Sequence, residues 1–187
     1  SLVLMSTDKG RTFPRFGVTF DGTAEGLIHW EQSVVSLDGN GVFSVAWVYH
    51  PESGSHRPNR YTVSRDGGRT FAPAREVGVK GQTCKVVRLR DGRLLLSYRR
   101  VDKPGLWAQL TSLNDADKLS LGEELPLWGT KMGSSWMSGT GNQSDELSSL
   151  KFGFPQMIQL EDGNVFLVFW GFEDWSCKIR GILLKID

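Results

Sequence analysis

Tyr98, Arg99 and Arg100 stand together near the middle of the chain. A guanidinium is planar, always charged, and meets a carboxylate through two parallel hydrogen bonds. An arginine pair therefore suits the grip of an anionic group. Arg57 and Arg60 offer the same chemistry earlier in the chain. Glu31 is a carboxylate able to carry a proton to or from a reacting group. Trp30, Tyr49, Trp107 and Trp136 have rings wide enough to stack on a flat apolar surface such as a sugar face. Each type also has a plainer use. Arginines solvate strand ends, a tyrosine closing an apolar run packs with its hydroxyl bonded, and a carboxylate at a strand start accepts backbone N–H groups. His50 and His56 lie in a polar segment expected to face solvent, and no His, Cys or Asp spacing fits a metal. Neither a metal nor a cofactor is expected. Two cysteines, Cys84 and Cys177, are too few for a disulfide framework or a zinc site; two free buried thiols are expected, with one bridge between them the alternative.

Side chains so placed need strands to hold them, and the strand signals repeat. An apolar run, an Asp-Gly turn and a second apolar run occur at Asp38-Gly39, Asp91-Gly92 and Asp162-Gly163. Asp-Gly between apolar runs is a strong hairpin signal, because glycine accepts the positive φ of tight turns. The turns are 53 and 71 residues apart, and the longer interval holds a Gly/Ser-rich insertion at 129–151. A second element is more specific. Ser6, Asp8, Gly10, Thr12 and Phe13 are matched by Ser64, Asp66, Gly68, Thr70 and Phe71, a Ser-x-Asp-x-Gly-x-Thr-aromatic pattern repeated after 58 residues. Ser and Asp side chains accept the backbone N–H groups of their own turn, and glycine permits the left-handed geometry.

Each full repeat then reads as four strands: A, the Asp-Gly turn, B, a longer loop, C, the octapeptide turn, D. Repeats fall at about 1–22, 30–80, 82–128 and 152–187; the first holds only C and D, and the fourth only A, B and a last strand at 179–186. In the third repeat the octapeptide position, 111–121, has lost its pattern. The B strands, Leu94-Leu95-Leu96 and Val165-Phe166-Leu167-Val168-Phe169, are apolar on both faces, as strands covered on two sides are. Four-stranded repeats of this length predict an all-β fold, a β-propeller. A six-bladed ring takes roughly 300 residues or more, so one partial domain of three to four blades is expected, the C-terminal part of a ring. Uncovered apolar residues are expected on its first and last blades. The missing N-terminal blades of the same protein are then a partner of this one.

If the octapeptide turns mark one face, residues opening A strands and closing B strands gather at the other. These are His29, Trp30, Glu31 and Gln32; Tyr49 and His50; Gln82; Tyr98, Arg99, Arg100 and Asp102; Phe154; and Glu173 and Asp174, with Arg57 and Arg60 from a B–C loop. Neighbouring side chains on a strand point opposite ways. Of Arg99 and Arg100, one is therefore expected to brace a neighbouring blade and the other, Arg100, to face the mouth. The 129–151 insertion is expected to overhang that face as a lid.

Charge is nearly balanced, 22 Lys and Arg against 21 Asp and Glu, which argues against a nucleic-acid binder. With 39% hydrophobic residues the chain is not disordered, and its apolar runs are far shorter than the ~18–20 residues of a membrane-spanning helix. The opening Ser-Leu-Val-Leu-Met reads as a strand and not as a leader, so the natural N-terminus is expected to lie upstream and the location stays open, with secreted or periplasmic the candidate.

The two octapeptides resemble the Asp-box, or BNR, repeats of the sialidase superfamily, with Phe where Trp is commoner. The stretch from Leu95 through Tyr98-Arg99-Arg100 to Pro104-Gly105-Leu106-Trp107, and Phe152-Gly153-Phe154-Pro155-Gln156, are similar to segments of bacterial exo-α-sialidase-like proteins. The resemblance implies a six-bladed propeller whose enzymes remove terminal sialic acid with retention. They use a Tyr nucleophile assisted by Glu, an Asp acid/base and three Arg that clamp the substrate carboxylate. It also implies that the octapeptides are structural and lie away from the active face. On this reading Glu31 and Tyr98 are the candidate catalytic residues, and Arg99, Arg100, Arg60, Trp30 and Tyr49 the candidate substrate-binding set, for a sialoglycan or other anionic sugar. The family's N-terminal Arg segment, its nucleophilic Tyr motif and its acid/base Asp loop have no match here. The alternative, a non-catalytic propeller that binds carbohydrate or protein, stays open, as does a glycosidase using paired carboxylates on the same repeat.

Overall fold

A computed structural model describes residues 1–131 and 149–186. Within them the chain is all-β: thirteen strands and one single-turn 3-10 helix, Thr23–Glu25. The strands form four antiparallel sheets of two, four, four and three strands, divided between two compact units, Ser1–Val79 and Lys80–Asp187.

The first unit holds β1 (Leu2–Met5) paired with β2 (Arg15–Val18), and a sheet ordered β3 (Ile28–Ser36), β4 (Val42–His50), β5 (Ser55–Ser64), β6 (Arg75–Glu76). The Asp38-Gly39 turn closes β3 onto β4, with Gly39 at φ 64° and the Leu37 N–H donating to the Gly41 carbonyl at 2.8 Å. In β4 residues 43–49 are all buried, so this strand is covered on both faces.

The octapeptides close β1 onto β2 and β5 onto β6 with the same set of hydrogen bonds. The Ser6 hydroxyl donates to Asp8 Oδ1 (2.7 Å) and accepts from the Gly10 N–H (2.7 Å); Asp8 accepts from the Arg11 and Thr12 N–H groups (3.1 and 2.9 Å) and the Thr12 hydroxyl (2.7 Å). Ser64 and Asp66 repeat this with Gly68, Arg69 and Thr70, at 2.8, 2.9, 3.0, 2.9 and 2.6 Å. The second turn lies at the Asp-Gly end of its sheet, as expected, since the Gly67 N–H donates to the Asn40 carbonyl at 2.8 Å. The first sheet packs against it. A Cβ on Gly17 would overlap the Gly68 carbonyl oxygen and come within 3.1 Å of the Phe71 ring.

The second unit holds a sheet ordered β10 (Leu119–Trp128), β9 (Leu106–Leu113), β8 (Leu94–Arg100), β7 (Gly81–Arg88), and another ordered β11 (Phe152–Gln159), β12 (Val165–Glu173), β13 (Ser176–Leu184). Its Asp-Gly hairpins match each other: Gly92 and Gly163 have φ 90° and 91°, and Asp91 and Asp162 accept the N–H two residues on at 2.9 and 3.0 Å. Where the octapeptide is lost, Asn114 takes over the β9–β10 turn by accepting the Ala116 and Lys118 N–H groups, both at 3.0 Å. The two sheets pack around Leu95, Ala108, Val165 and Leu184 at one level and Leu106, Phe152, Leu167 and Phe169 at another.

Three expectations need correction or limits. The last strand starts at Ser176, not at 179, because β12 turns into β13 through two residues only. Both cysteines are free, but only Cys84 is buried; Cys177 sits on β13, the last strand of its sheet, and is exposed. The expected lid, with Trp136, lies largely outside the described residues. Exposed apolar side chains do gather on the first sheet (Leu2, Leu4, Phe16, Val18) and the last (Ile158, Phe166, Ile179, Leu183).

Two outcomes follow from the turns. Gly17→Ala should destabilise the protein by about 1–3 kcal/mol through overpacking, read from the denaturant midpoint; an unchanged midpoint would refute the close approach. The Thr12 hydroxyl, then the Thr12 N–H and the Ser6 hydroxyl, hold the Asp8 carboxyl at about 2 instead of its ordinary 3.8. Thr70, by hydroxyl and then N–H, and Ser64 depress Asp66 further. A depressed carboxyl stabilises the fold above its unfolded pKa and loses that contribution as pH falls through its folded value. Stability should therefore drop below pH 3.8 toward about 2, and the Asp8→Asn, Asp66→Asn double variant should lose that part of the acid slope in thermal melts.

Candidate functional site

In the second unit the two sheets lie with like ends together. Arg99 Nη1 donates to the Phe152 carbonyl (2.7 Å) at one end, and the Arg90 N–H and Nη1 reach Gln159 Oε1 (2.9 Å) and the Glu161 carbonyl (3.0 Å) at the other. Gln82, Tyr98, Arg99, Arg100, Phe154, Glu173 and Asp174 thus share the end opposite the Asp-Gly turns. In the first unit His29, Trp30, Glu31, Tyr49 and His50 do the same, since Ile28 pairs with Tyr49.

In each unit that end carries the same device, found in one sheet of the first unit and two of the second. The first strand of each breaks register with the second, between Trp30 and Ser33, Gln82 and Lys85, and Gly153 and Gln156. Inside each break sits a non-glycine residue at positive φ: Glu31 (47°), Thr83 (50°) and Phe154 (54°). Such a backbone costs on the order of 1–3 kcal/mol, and bulges re-aim side chains. The residue types share nothing. The legible signal was spacing: each stands six residues before the leucine that closes its strand, Leu37, Leu89 or Leu160.

Glu31 is exposed, and Trp47 Nε1 donates to its Oε2 at 2.9 Å. Its Oε1 accepts no hydrogen bond among the described residues. Trp30 stacks on Trp47 (5.5 Å between centroids), His56 tilts over Trp47 (5.6 Å), and Tyr49 meets His56 edge-on (5.3 Å). The result is a carboxylate oriented by a neutral donor beside an aromatic cluster, competent to accept a proton or a sugar hydroxyl. Tyr49 is buried within that cluster. His29 stacks on Phe20 at 4.8 Å, and burial, with Arg60 nearby, pulls its pKa down to about 4, so its ring is neutral. Gln32 is a tie and not a ligand group: it donates to the Leu2 carbonyl and accepts the Thr19 hydroxyl (2.8 Å), joining the first sheet to β3.

The arginines expected to bind substrate are occupied. Arg60 grips Glu25 with both arms, each at 2.6 Å. Arg99 is 1% exposed; besides Phe152 it donates to Gln82 Oε1, and it bridges the two sheets as a brace. Arg100, expected to clamp a substrate carboxylate, is held by Asp102 (2.7 Å from both Nε and Nη2) and by Glu124 (2.5 Å). Asp102 first, then Glu124, raise its pKa despite burial, so the fork is charged and fully engaged. Tyr98, expected as nucleophile, is 0% exposed, and its hydroxyl donates to Glu124 (2.7 Å) and Gln109 (3.2 Å). Burial, then Glu124, push its pKa up, which withholds the phenolate a nucleophile needs. Lys103 completes the group at 2.6 Å from Glu124, with its ammonium 3.7 Å over the Trp107 ring, so Trp107 faces a cation and not open solvent. Burial raises the Glu124 pKa, but Lys103, Tyr98 and Arg100 outweigh it and leave a carboxylate. Glu124 and Lys103 were missed in the sequence because Glu124 reaches Tyr98 from two strands away.

The sequence matches no protein-family model and no curated protein. Its fold matches solved structures. A protein of unknown function from Dyadobacter fermentans superposes with TM-score 0.70 at 24% identity, over 98% of this chain and 45% of that one. The NanB sialidase of Streptococcus pneumoniae gives 0.64 at 16%, over 98% and 27%. An α-L-arabinofuranosidase of Fusarium graminearum gives 0.52 at 13%, over 86% and 46%. This chain spans less than half the length of each.

Arg99 generates a prediction. Arg99→Met removes the donor shared by Gln82 and Phe152 and should cost about 2–4 kcal/mol in chemical denaturation, with Arg99→Lys failing to restore it because a point charge cannot serve two divergent acceptors. A neutral effect would show that Arg99 does not brace the sheets.

Proposed function

We propose that this chain is part of a sialidase-like β-propeller that acts on carbohydrate as a glycosidase, with Glu31 as a reacting carboxylate. The observation that carries this reading is Glu31 itself: an exposed carboxylate on strained backbone, oriented by the Trp47 indole and backed by Trp30. Four repeated antiparallel sheets, the Asp-box-like turns and the likeness to glycosidase structures support it. Glu31 would shuttle the proton between the glycosidic oxygen or water and solvent. Tyr98 is not offered as the second reacting group, because it is buried and bonded.

The substrate class follows from charge. Arg60, Arg99 and Arg100 are each occupied, which supports an uncharged glycoside, while Arg57, exposed in the cleft with Arg60 and His50, is the arginine a sugar carboxylate would call on. A sialoside is the second reading. It is favoured by the two octapeptides and the likeness to NanB, and it requires arginines from other residues.

Fluorogenic arabinosides, galactosides and sialosides offered to the full-length protein decide between them. Turnover of an uncharged glycoside, falling roughly 10²–10⁴-fold in Glu31→Gln with an unchanged melting temperature, is expected. Turnover of the sialoside alone would favour the second reading. Glycan binding without turnover of any member would replace the enzyme with a binding module.

A further inference from the structure

Strand β12 passes into β13 through Asp174 and Trp175, with Glu173 paired to Ser176 across the turn. Both turn residues have positive φ, 48° and 62°, the geometry that two-residue hairpins demand and that Asn-Gly or Asp-Gly supplies without strain. At its three Asp-Gly hairpin turns the chain places glycine in the left-handed position: Gly39, Gly92 and Gly163. Here it places tryptophan, among the bulkiest side chains available, where a Cβ is disfavoured. Packing does not compensate, for Trp175 is 94% exposed. The hairpin beneath it is braced on both strands: Arg180 pairs with Glu173, Lys178 pairs with Asp174 at 2.9 Å, and the Ser176 hydroxyl donates to the Glu173 carbonyl at 3.1 Å. The indole therefore stands at the tip of this hairpin, at the same end of the unit as Phe154, opposite Asp162-Gly163.

We propose that Trp175 is a stacking platform for a sugar ring of the bound glycan. A flat indole presents a wide apolar face with few rotatable bonds, and it matches the C–H face of a pyranose or furanose. The indole's chain neighbours Asp174 and Ser176 are polar, the first accepting from the Lys178 ammonium and the second donating to the Glu173 carbonyl. A strained residue with no packing role, presented to solvent at a hairpin tip, is kept for contact and not for folding. The platform rests on the carbohydrate reading above.

The test separates the two. The full-length protein, Trp175→Gly and Trp175→Phe are titrated calorimetrically with arabino-oligosaccharides, galacto-oligosaccharides and sialyllactose, and melted in parallel. Trp175→Gly should melt no lower than the parent, since glycine relieves the turn, yet bind the recognised oligosaccharide at least tenfold more weakly; Trp175→Phe should fall between. Saturating that oligosaccharide should also perturb tryptophan fluorescence in the parent more than in Trp175→Gly. Equal affinity in parent and Trp175→Gly overturns the platform and leaves the carbohydrate reading standing. A lowered melting temperature in Trp175→Gly also overturns it, by assigning the indole to stability. No binding of any oligosaccharide by the parent removes the carbohydrate reading and the platform with it.

Discussion

Residues 43–49 of β4 and 94–99 of β8 are buried without a break. A strand that shows no side chain to water on either face must be covered twice, so its sheet needs packing layers on both sides. Everything else accommodates that demand. The strands beside β4 and β8 satisfy their backbone groups within the sheet, polar side chains in the buried runs must find partners, and chemistry open to solvent is displaced to the strand ends. Ser44, Ser97, Tyr98 and Arg99 are polar residues in those runs, and each of these four is hydrogen-bonded: Ser44 to Gln32, Ser97 to the Trp107 carbonyl, Tyr98 to Glu124, Arg99 to Phe152.

The two ends of the sheets then diverge in character. At one end the turns are closed by their own side chains, with Asp and Ser accepting the N–H groups that a tight loop would otherwise leave bare. That end is self-sufficient and tolerant of water. At the other end the first strands bulge and their backbone is strained at Glu31, Thr83 and Phe154, while one strained pair, Asp174 and Trp175, turns β12 into β13. Lys9 and Asp117 take positive φ in the self-closed turns too, but five of the seven such non-glycine residues among the described ones lie at the bulged end, and strained backbone of that kind is often kept for function.

Charge neutralisation tells the same story from the electrostatic side. Three arginines are consumed by structure, Arg60 in the first unit by Glu25, and in the second Arg99 by a carbonyl and an amide across two sheets and Arg100 by two carboxylates. A buried guanidinium without partners would be prohibitive, so each acquired them, and in acquiring them each lost its freedom to meet a ligand. Glu31 differs because its partner is a neutral indole N–H and one of its oxygens accepts nothing among the described residues.

The features legible in the amino-acid sequence are those that depend on near neighbours. Asp-Gly turns, octapeptides whose side chains bond only within eight residues, and apolar runs on both faces are of this kind, and they placed the hairpins, the turn networks and the all-β class correctly. They also brought Arg99 and Arg100 to one strand end with opposite orientations, since alternation along a strand is local. Which arginine was free, whether Tyr98 met solvent, and where β13 began were decided by contacts between strands. Glu124 reaches Tyr98 and Arg100 across 26 and 24 residues, Phe152 reaches Arg99 across 53, and Glu25 reaches Arg60 across 35. A carboxylate that far away leaves no mark on the residues beside it. Only the tertiary structure could therefore turn the expected clamp and nucleophile into braces, and leave Glu31 and Trp175 as the groups that face outward.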